Sequence, residues 1–220
     1  MMRWGQIDQQ HYNSEGIEAD YPYFVSGADK DKLAEWNRII VKDFIKILGI
    51  YTINSFPEAE PSPTGVVPVI LTIRNEIKKL DDQYFSVFYT AEYSSRYSAH
   101  PTELVYTTNI DLNAKKRVAL SDLVRVDEDF VRDFRNWEVI LFEPGNEELN
   151  QAVMDYLASL EDDMLLGGFQ RADIIGSSNY LGIFSYLTFD SLGISLEVPN
   201  YLGDHMEFER KFTELTDFLK

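Results

Sequence analysis

The chain has no cysteine. Disulfides, a thiolate nucleophile and zinc sites built on thiolates are therefore excluded. Histidine is scarce: His11, His100 and His205 are the only three. None lies three or four residues from another, and neither HExxH nor HxH occurs, so there is no local metal motif. Basic residues are also few. Lys plus Arg number 20 against 37 Asp plus Glu, a formal net charge of −17. That field repels nucleic acid and anionic membrane surfaces and steers a basic partner inward. No apolar run reaches the roughly 18 residues that a membrane-spanning helix needs. The opening segment MMRWGQIDQQHYNSEG has no apolar signal core. The expectation is a cytoplasmic chain, or a secreted one met without its targeting segment.

Signatures of catalysis are missing too. There is no GxSxG, and the serine-rich stretches SSRYS (94–98) and GSSN (176–179) have ordinary loop composition. LLGGF (165–169) has neither the lysine nor the glycine spacing of a phosphate-cradling loop. With 37 carboxylates, pairs that could act as acid and base occur everywhere, so none is informative. No cofactor is implied.

What is present is core-forming material. Of 220 residues, 45% are hydrophobic and 14% aromatic, enough for one large domain or two small ones packed together. Residues 1–16 are polar and aperiodic and read as a flexible lead-in. IEADYPYFV (17–25) reads as a strand. Ser26 and Asp29 offer N-caps to a helix whose stripe is Leu33, Trp36, Ile40, Phe44 and Ile47, with Gly49 as its stop. Pro57, Pro61 and Pro63 make 55–65 an exposed loop.

Strands follow over 66–77, 83–95 and 102–112. The last two alternate: Phe85, Val87, Tyr89, Ala91 and Tyr93 share one face, as do Leu104, Tyr106, Thr108, Ile110 and Leu112. They flank RYSAHPTEL (96–104) and predict an antiparallel hairpin with one buried and one wetter face. Helices are expected from Asp127 and from Asn146, the second carrying Leu149, Val153, Tyr156, Leu157 and Leu160. GGFQRADIIGSSN (167–179) reads as a loop. A second hairpin follows (180–190 and 193–199), then an alternating segment at 205–212 and a short C-terminal helix capped by Thr213. Strands come in runs apart from helices. The fold class expected is α+β, antiparallel sheets with packed helices, in the order β-α-β-β then β-α-α-β-β-β-α.

Several stretches resemble a known family. Ala99, His100 and Pro101 match the loop of the DUF3298 family. Asp111, Leu112, Leu120, Asp122 and Leu123 match the phrase that follows it. The closing segment is similar at Leu187, Asp190, Leu192, Gly193, Ile194, Pro199, Gly203, Phe208, Glu214 and Leu215. Residues 17–95 resemble DUF4163, the domain that usually precedes DUF3298. The resemblance implies a lead-in (1–16), a DUF4163-like α+β subdomain (17–96) and a DUF3298-like α+β subdomain (97–220). Such pairs occur in the extracytoplasmic part of RsiV-type anti-sigma factors, which recognises lysozyme, and beside the catalytic domain of PdaC-type peptidoglycan deacetylases. It thus implies an extracytoplasmic, cell-envelope recognition module rather than an enzyme.

The expected contact loops are 94–102 and 176–204, with Tyr97, His100, Pro199 and Tyr201 as ligand-binding candidates. Tyrosine favours interfaces, and an apolar group on a turn needs a core pocket or a partner. The expected partner is a basic protein such as lysozyme, or a peptidoglycan fragment. Two alternatives stay open: a hydrolase using His100, Asp204 and His205, and an accessory scaffold with no ligand.

Overall fold

The computed structural model describes residues 6–14, 16–54, 70–94, 100–140, 146–176 and 181–220. Two sheets lie back to back, with one long helix outside the first and a group of shorter helices outside the second. The class is α+β.

The first sheet has six strands in sequence order: β1 (Ile7–Ser14), β2 (Ile17–Phe24), β3 (Leu71–Leu80), β4 (Tyr84–Tyr93), β5 (Thr102–Asp111) and β6 (Lys116–Val118). Residues 7–14 thus correct the flexible lead-in. They form an edge strand that pairs antiparallel with β2 through Ser14↔Ile17 to Ile7↔Phe24. The sheet is also not purely antiparallel, because β2 and β3 run parallel. Helix α1 (Lys30–Asn54) is the crossover such a pair requires. It starts where the Asp29 carboxylate accepts the Lys32 N–H at 2.9 Å. It runs through Gly49 rather than stopping there, and buries Trp36, Ile40, Phe44, Ile47 and Tyr51. The Trp36 indole N–H donates to the Leu112 carbonyl at 3.1 Å, tying the helix to the far end of β5.

The expected antiparallel hairpin of β4 and β5 forms, with the register Tyr93↔Thr102 to Tyr84↔Asp111. The expectation of one wetter face is corrected: Phe85 to Tyr89 and Val105 to Ile110 are buried on both faces. The reason is the second sheet, with strand order β7 (Glu138–Ile140), β10 (His205–Lys211), β9 (Ser191–Glu197) and β8 (Ile183–Leu187), all antiparallel. Phe184 and Tyr186 of β8 join the core of the first sheet, while Ile183 and Leu187 face the second core. Tyr186 meets Phe88 edge-on at 5.4 Å between ring centres.

Between the sheets runs a buried polar seam. Asn109 donates to the Ser185 carbonyl at 2.8 Å and accepts from the Ser86 hydroxyl at 2.7 Å. The Leu187 N–H donates to the Ser86 hydroxyl at 3.0 Å. Asp173 is buried, and its carboxylate accepts from Ser185 N at 2.6 Å, Leu120 N at 2.7 Å, the Ser185 hydroxyl at 2.7 Å and the Thr107 hydroxyl at 3.3 Å. Burial pushes that carboxyl up, against the pull of Arg117 and these donors.

The second core is closed by α2 (Leu120–Leu123), α3 (Glu128–Phe134), α4 (Glu147–Ser159) and α5 (Asp162–Gln170). Asp127 and Asn146 cap α3 and α4 with their side-chain oxygens. The loop expected from 167 is corrected, since α5 continues to Gln170. Gly168 permits this: a Cβ there would stand 2.9 Å from the Ile183 Cδ1, so helix and strand meet closely. The C-terminal helix is corrected to a single 3-10 turn, Phe212–Glu214. The proline-rich segment 55–65 and Tyr97 lie outside the described residues.

The expected boundary between 96 and 97 falls between β4 and β5, which are hydrogen-bonded neighbours in one sheet.

Candidate ligand-binding cleft

β5 begins beside the turn that joins β9 to β10, where the Glu103 N–H meets Asp204. The turn is built from Pro199, a 3-10 helical turn over Asn200–Leu202, Gly203 and Asp204. Gly203 has φ +101° and Asp204 φ +67°, two consecutive residues in the left-handed region that reverse the chain. Asp204 anchors the turn. One carboxylate oxygen accepts from Asn200 Nδ2 at 3.0 Å, and the other accepts the Glu103 N–H at 3.0 Å.

His205 follows as the first residue of β10 and is buried. Its Nδ1 lies 3.8 Å from a Glu103 carboxylate oxygen, and its ring centre lies 6.4 Å from that of Phe88. Burial lowers the imidazole pKa, while Glu103 and Asp204 pull it back up.

Behind the junction opens a cavity of about 340 Å³. Its apolar lining comes from Ile50 of α1, Leu104 of β5, Ile183 and Phe184 of β8, and others. Its polar lining is Tyr106, Arg171, Ser195, Glu197, Asp204 and His205. The Tyr106 and Tyr51 hydroxyls are bonded at 3.1 Å, and burial pushes the Tyr106 phenol up. Glu197, at the end of β9, lies flat across Gly182 and accepts its N–H at 3.0 Å. A Cβ on Gly182 would come within 2.6 Å of that carboxylate oxygen.

The sequence candidates distribute as follows. Asp204 and His205 line the cavity. Tyr201 stands on the neighbouring turn with 77% of its surface exposed, beside the half-buried Pro199. His100 is exposed and lies three residues before Glu103, and it is not among the residues lining the cavity. The described partners of Asp204 are Glu103 and Asn200, so its carboxylate serves the turn. Among the described residues no three His, Asp or Glu side chains gather into a cation-holding group. Sequence reasoning missed Arg171, Glu197 and Glu103. Nothing but their place in the folded chain marks them.

Comparison with solved structures finds the same architecture. A DUF3298 family protein from Pseudomonas aeruginosa PAO1 matches at a TM-score of 0.58 and 13% identity, over 100% of this chain and 96% of the other. A member of the same family from Bacteroides fragilis matches at 0.56 and 12%, over 98% of this chain and 94% of the other. No family model matches the sequence, and no curated protein does. The chain therefore has the fold of the DUF3298 proteins across nearly its whole length.

Proposed function

We propose that the chain is a non-enzymatic recognition module of the cell envelope. It binds a protein or peptidoglycan-type ligand through the 94–102 and 176–204 loops. The observation that carries this reading is the bond from the Glu103 N–H to Asp204. It fixes the Pro199–Asp204 turn against the start of β5, beside a cavity of about 340 Å³. Small-ligand sites run from roughly 300 to 1,000 Å³, so the cavity is sized for a side chain or a fragment rather than a polymer. Tyr201, a wide amphipathic group on a pinned turn, costs little to order when a partner covers it. The net charge of −17 favours a basic protein such as lysozyme through steered, salt-dependent association. An extracytoplasmic location follows from this role.

Calorimetric titration with lysozyme, and separately with soluble muropeptides, tests the reading at low and at physiological salt. Binding of either, for lysozyme weakening with added salt, is the expected result. No binding of either ligand at low salt would end it.

A further inference from the structure

We infer that the outer edge of β1 is a docking site for an extended basic segment of a partner protein, which adds a seventh strand to the first sheet. The inference does not depend on the cleft.

The two sheets have four edge strands, and three of them are guarded. β6 is three residues long and carries Lys116 and Arg117. β7 is also three residues long. The free side of β8 is occupied by other parts of the chain: Ser185 N–H donates to Asp173, the Ser185 carbonyl accepts from Asn109, and Leu187 N–H donates to the Ser86 hydroxyl. Short strands, edge lysines and covering side chains are the ordinary protections of a sheet edge. β1 has none of them. It is eight residues long, holds no Lys, Arg or Pro, and pairs with β2 without a bulge. Among the described residues no strand pairs with its other side.

The register says which backbone groups that edge presents. Val25 N–H donates to the Gln6 carbonyl at 2.9 Å. Bonded pairs alternate along an antiparallel ladder, so Asp8, Gln10, Tyr12 and Ser14 turn their groups to β2. Ile7, Gln9, His11 and Asn13 turn theirs outward. Pro22, which has no N–H, stands opposite Gln9, where the ladder asks for none.

Charge selects the occupant. β1 and β2 together contain Asp8, Glu18 and Asp20 and no Lys or Arg. A hollow of about 390 Å³ lies beside the edge, lined by His11, Asn13, Glu18, Asp20, Thr72 and Arg74 among others. Arg74 belongs to β3, the strand beyond β2. Strands stand about 4.8 Å apart, so an added strand lies about 10 Å from β2, a gap that a lysine and a carboxylate side chain close between them. A second copy of the chain would set these acids against their own likeness, each copy with a net charge of −17. An extended segment that alternates Lys or Arg with β-forming residues gains the ladder bonds and the charge pairs together.

The test uses the full chain and a capped octapeptide alternating lysine with threonine and valine, followed by amide hydrogen exchange and chemical shifts. The Ile7, Gln9, His11 and Asn13 amides are expected to gain about ten-fold or more protection, while Asp8, Gln10 and Tyr12, already bonded to β2, change little. Added salt should weaken the binding. A peptide with two adjacent central prolines, which spoil both of its edges, and one with glutamate for lysine should each bind about ten-fold more weakly or worse. Asn13→Pro removes one outward donor without touching the β2 ladder and should weaken the lysine peptide likewise. If that variant fails to fold, the three peptides compared on the unaltered chain still decide. No protection at millimolar lysine peptide overturns the inference, as does equal binding of the proline or the glutamate peptide. Protection of the same four amides that rises with protein concentration alone assigns the edge to a second copy and overturns the basic partner.

Discussion

The phenol ring of Tyr186 fills the place where a side chain of Gly193 would begin. The two residues are cross-strand partners in β8 and β9, and a Cβ built on Gly193 would lie 2.1 Å from the ring Cζ. A glycine with ordinary strand geometry is thus used for close approach, and the aromatic ring covers the exposed backbone in return. The ring is held on its other sides by Phe88 and by a bond from its hydroxyl to Glu209 at 3.1 Å.

Gly193→Ala should therefore destabilise the chain. The methyl cannot be accommodated without moving Tyr186, so the cost is that of overpacking, about 1–3 kcal/mol. Urea unfolding measures it. In a Tyr186→Ala background the same glycine substitution should cost much less, because the obstructing ring is gone. Equal costs in the two backgrounds would mean that the ring is not the obstacle.

Asp173→Asn should be costly although it preserves shape. All four described partners of the carboxylate donate to it, two of them backbone N–H groups that cannot turn round. An asparagine offers one acceptor oxygen and sets its amide hydrogens against a donor. Each buried donor left unmatched costs about 1–3 kcal/mol. A lower urea midpoint is the expected result. An unchanged midpoint would show that the seam rearranges freely.

These examples mark where the sequence was legible. The α1 stripe from Trp36 to Ile47, the β4–β5 alternation and the caps at Asp127 and Asn146 could be read, because one face or one bond determines each. β1 could not: it is an edge strand whose residues are exposed or half-buried, so burial left no period in IDQQHYNS. The central strands misled for the opposite reason. Ser86, Thr107 and Asn109 read as a wet face but are buried against β8, where their polar groups are satisfied. Gly49 failed as a stop because a glycine inside a long packed helix costs only about 1 kcal/mol, less than the burial of Tyr51 beyond it gains. At the cleft, Pro199–Asp204 was legible as a turn. Its bond to Glu103 joins residues 101 positions apart, and no local pattern records it.

His205 gives stability an acid-side slope. Burial holds its pKa below the ordinary 6.5. Above that value the folded and unfolded chains both carry a neutral ring, and the residue adds no pH dependence. Below it the unfolded chain takes up a proton that the folded chain resists, so stability falls as pH drops from 6.5 through the lower folded value. Glu103 and Asp204 limit the effect and do not reverse it. His205→Gln should flatten the fall of the urea midpoint between about pH 7 and about pH 5. Parallel pH profiles for the two proteins would rule this contribution out.

Tyr201 and Phe189 are a matched pair for testing where recognition occurs. Both are highly exposed, 77% and 89% respectively, so replacing either with alanine should change stability by no more than about 0.5 kcal/mol. They sit at opposite ends of the β8–β9 hairpin: Tyr201 on the turn beside the cleft, Phe189 on the loop that Lys79 holds through the Thr188 and Phe189 carbonyls. If the cleft surface is where the partner docks, Tyr201→Ala should weaken binding of lysozyme or muropeptide at least ten-fold, as expected of a large aromatic contact. Phe189→Ala should leave it unchanged. Binding measured on both variants, with melting curves to confirm folding, separates the outcomes. A loss on Phe189→Ala alone would move the contact surface to the other end of the hairpin.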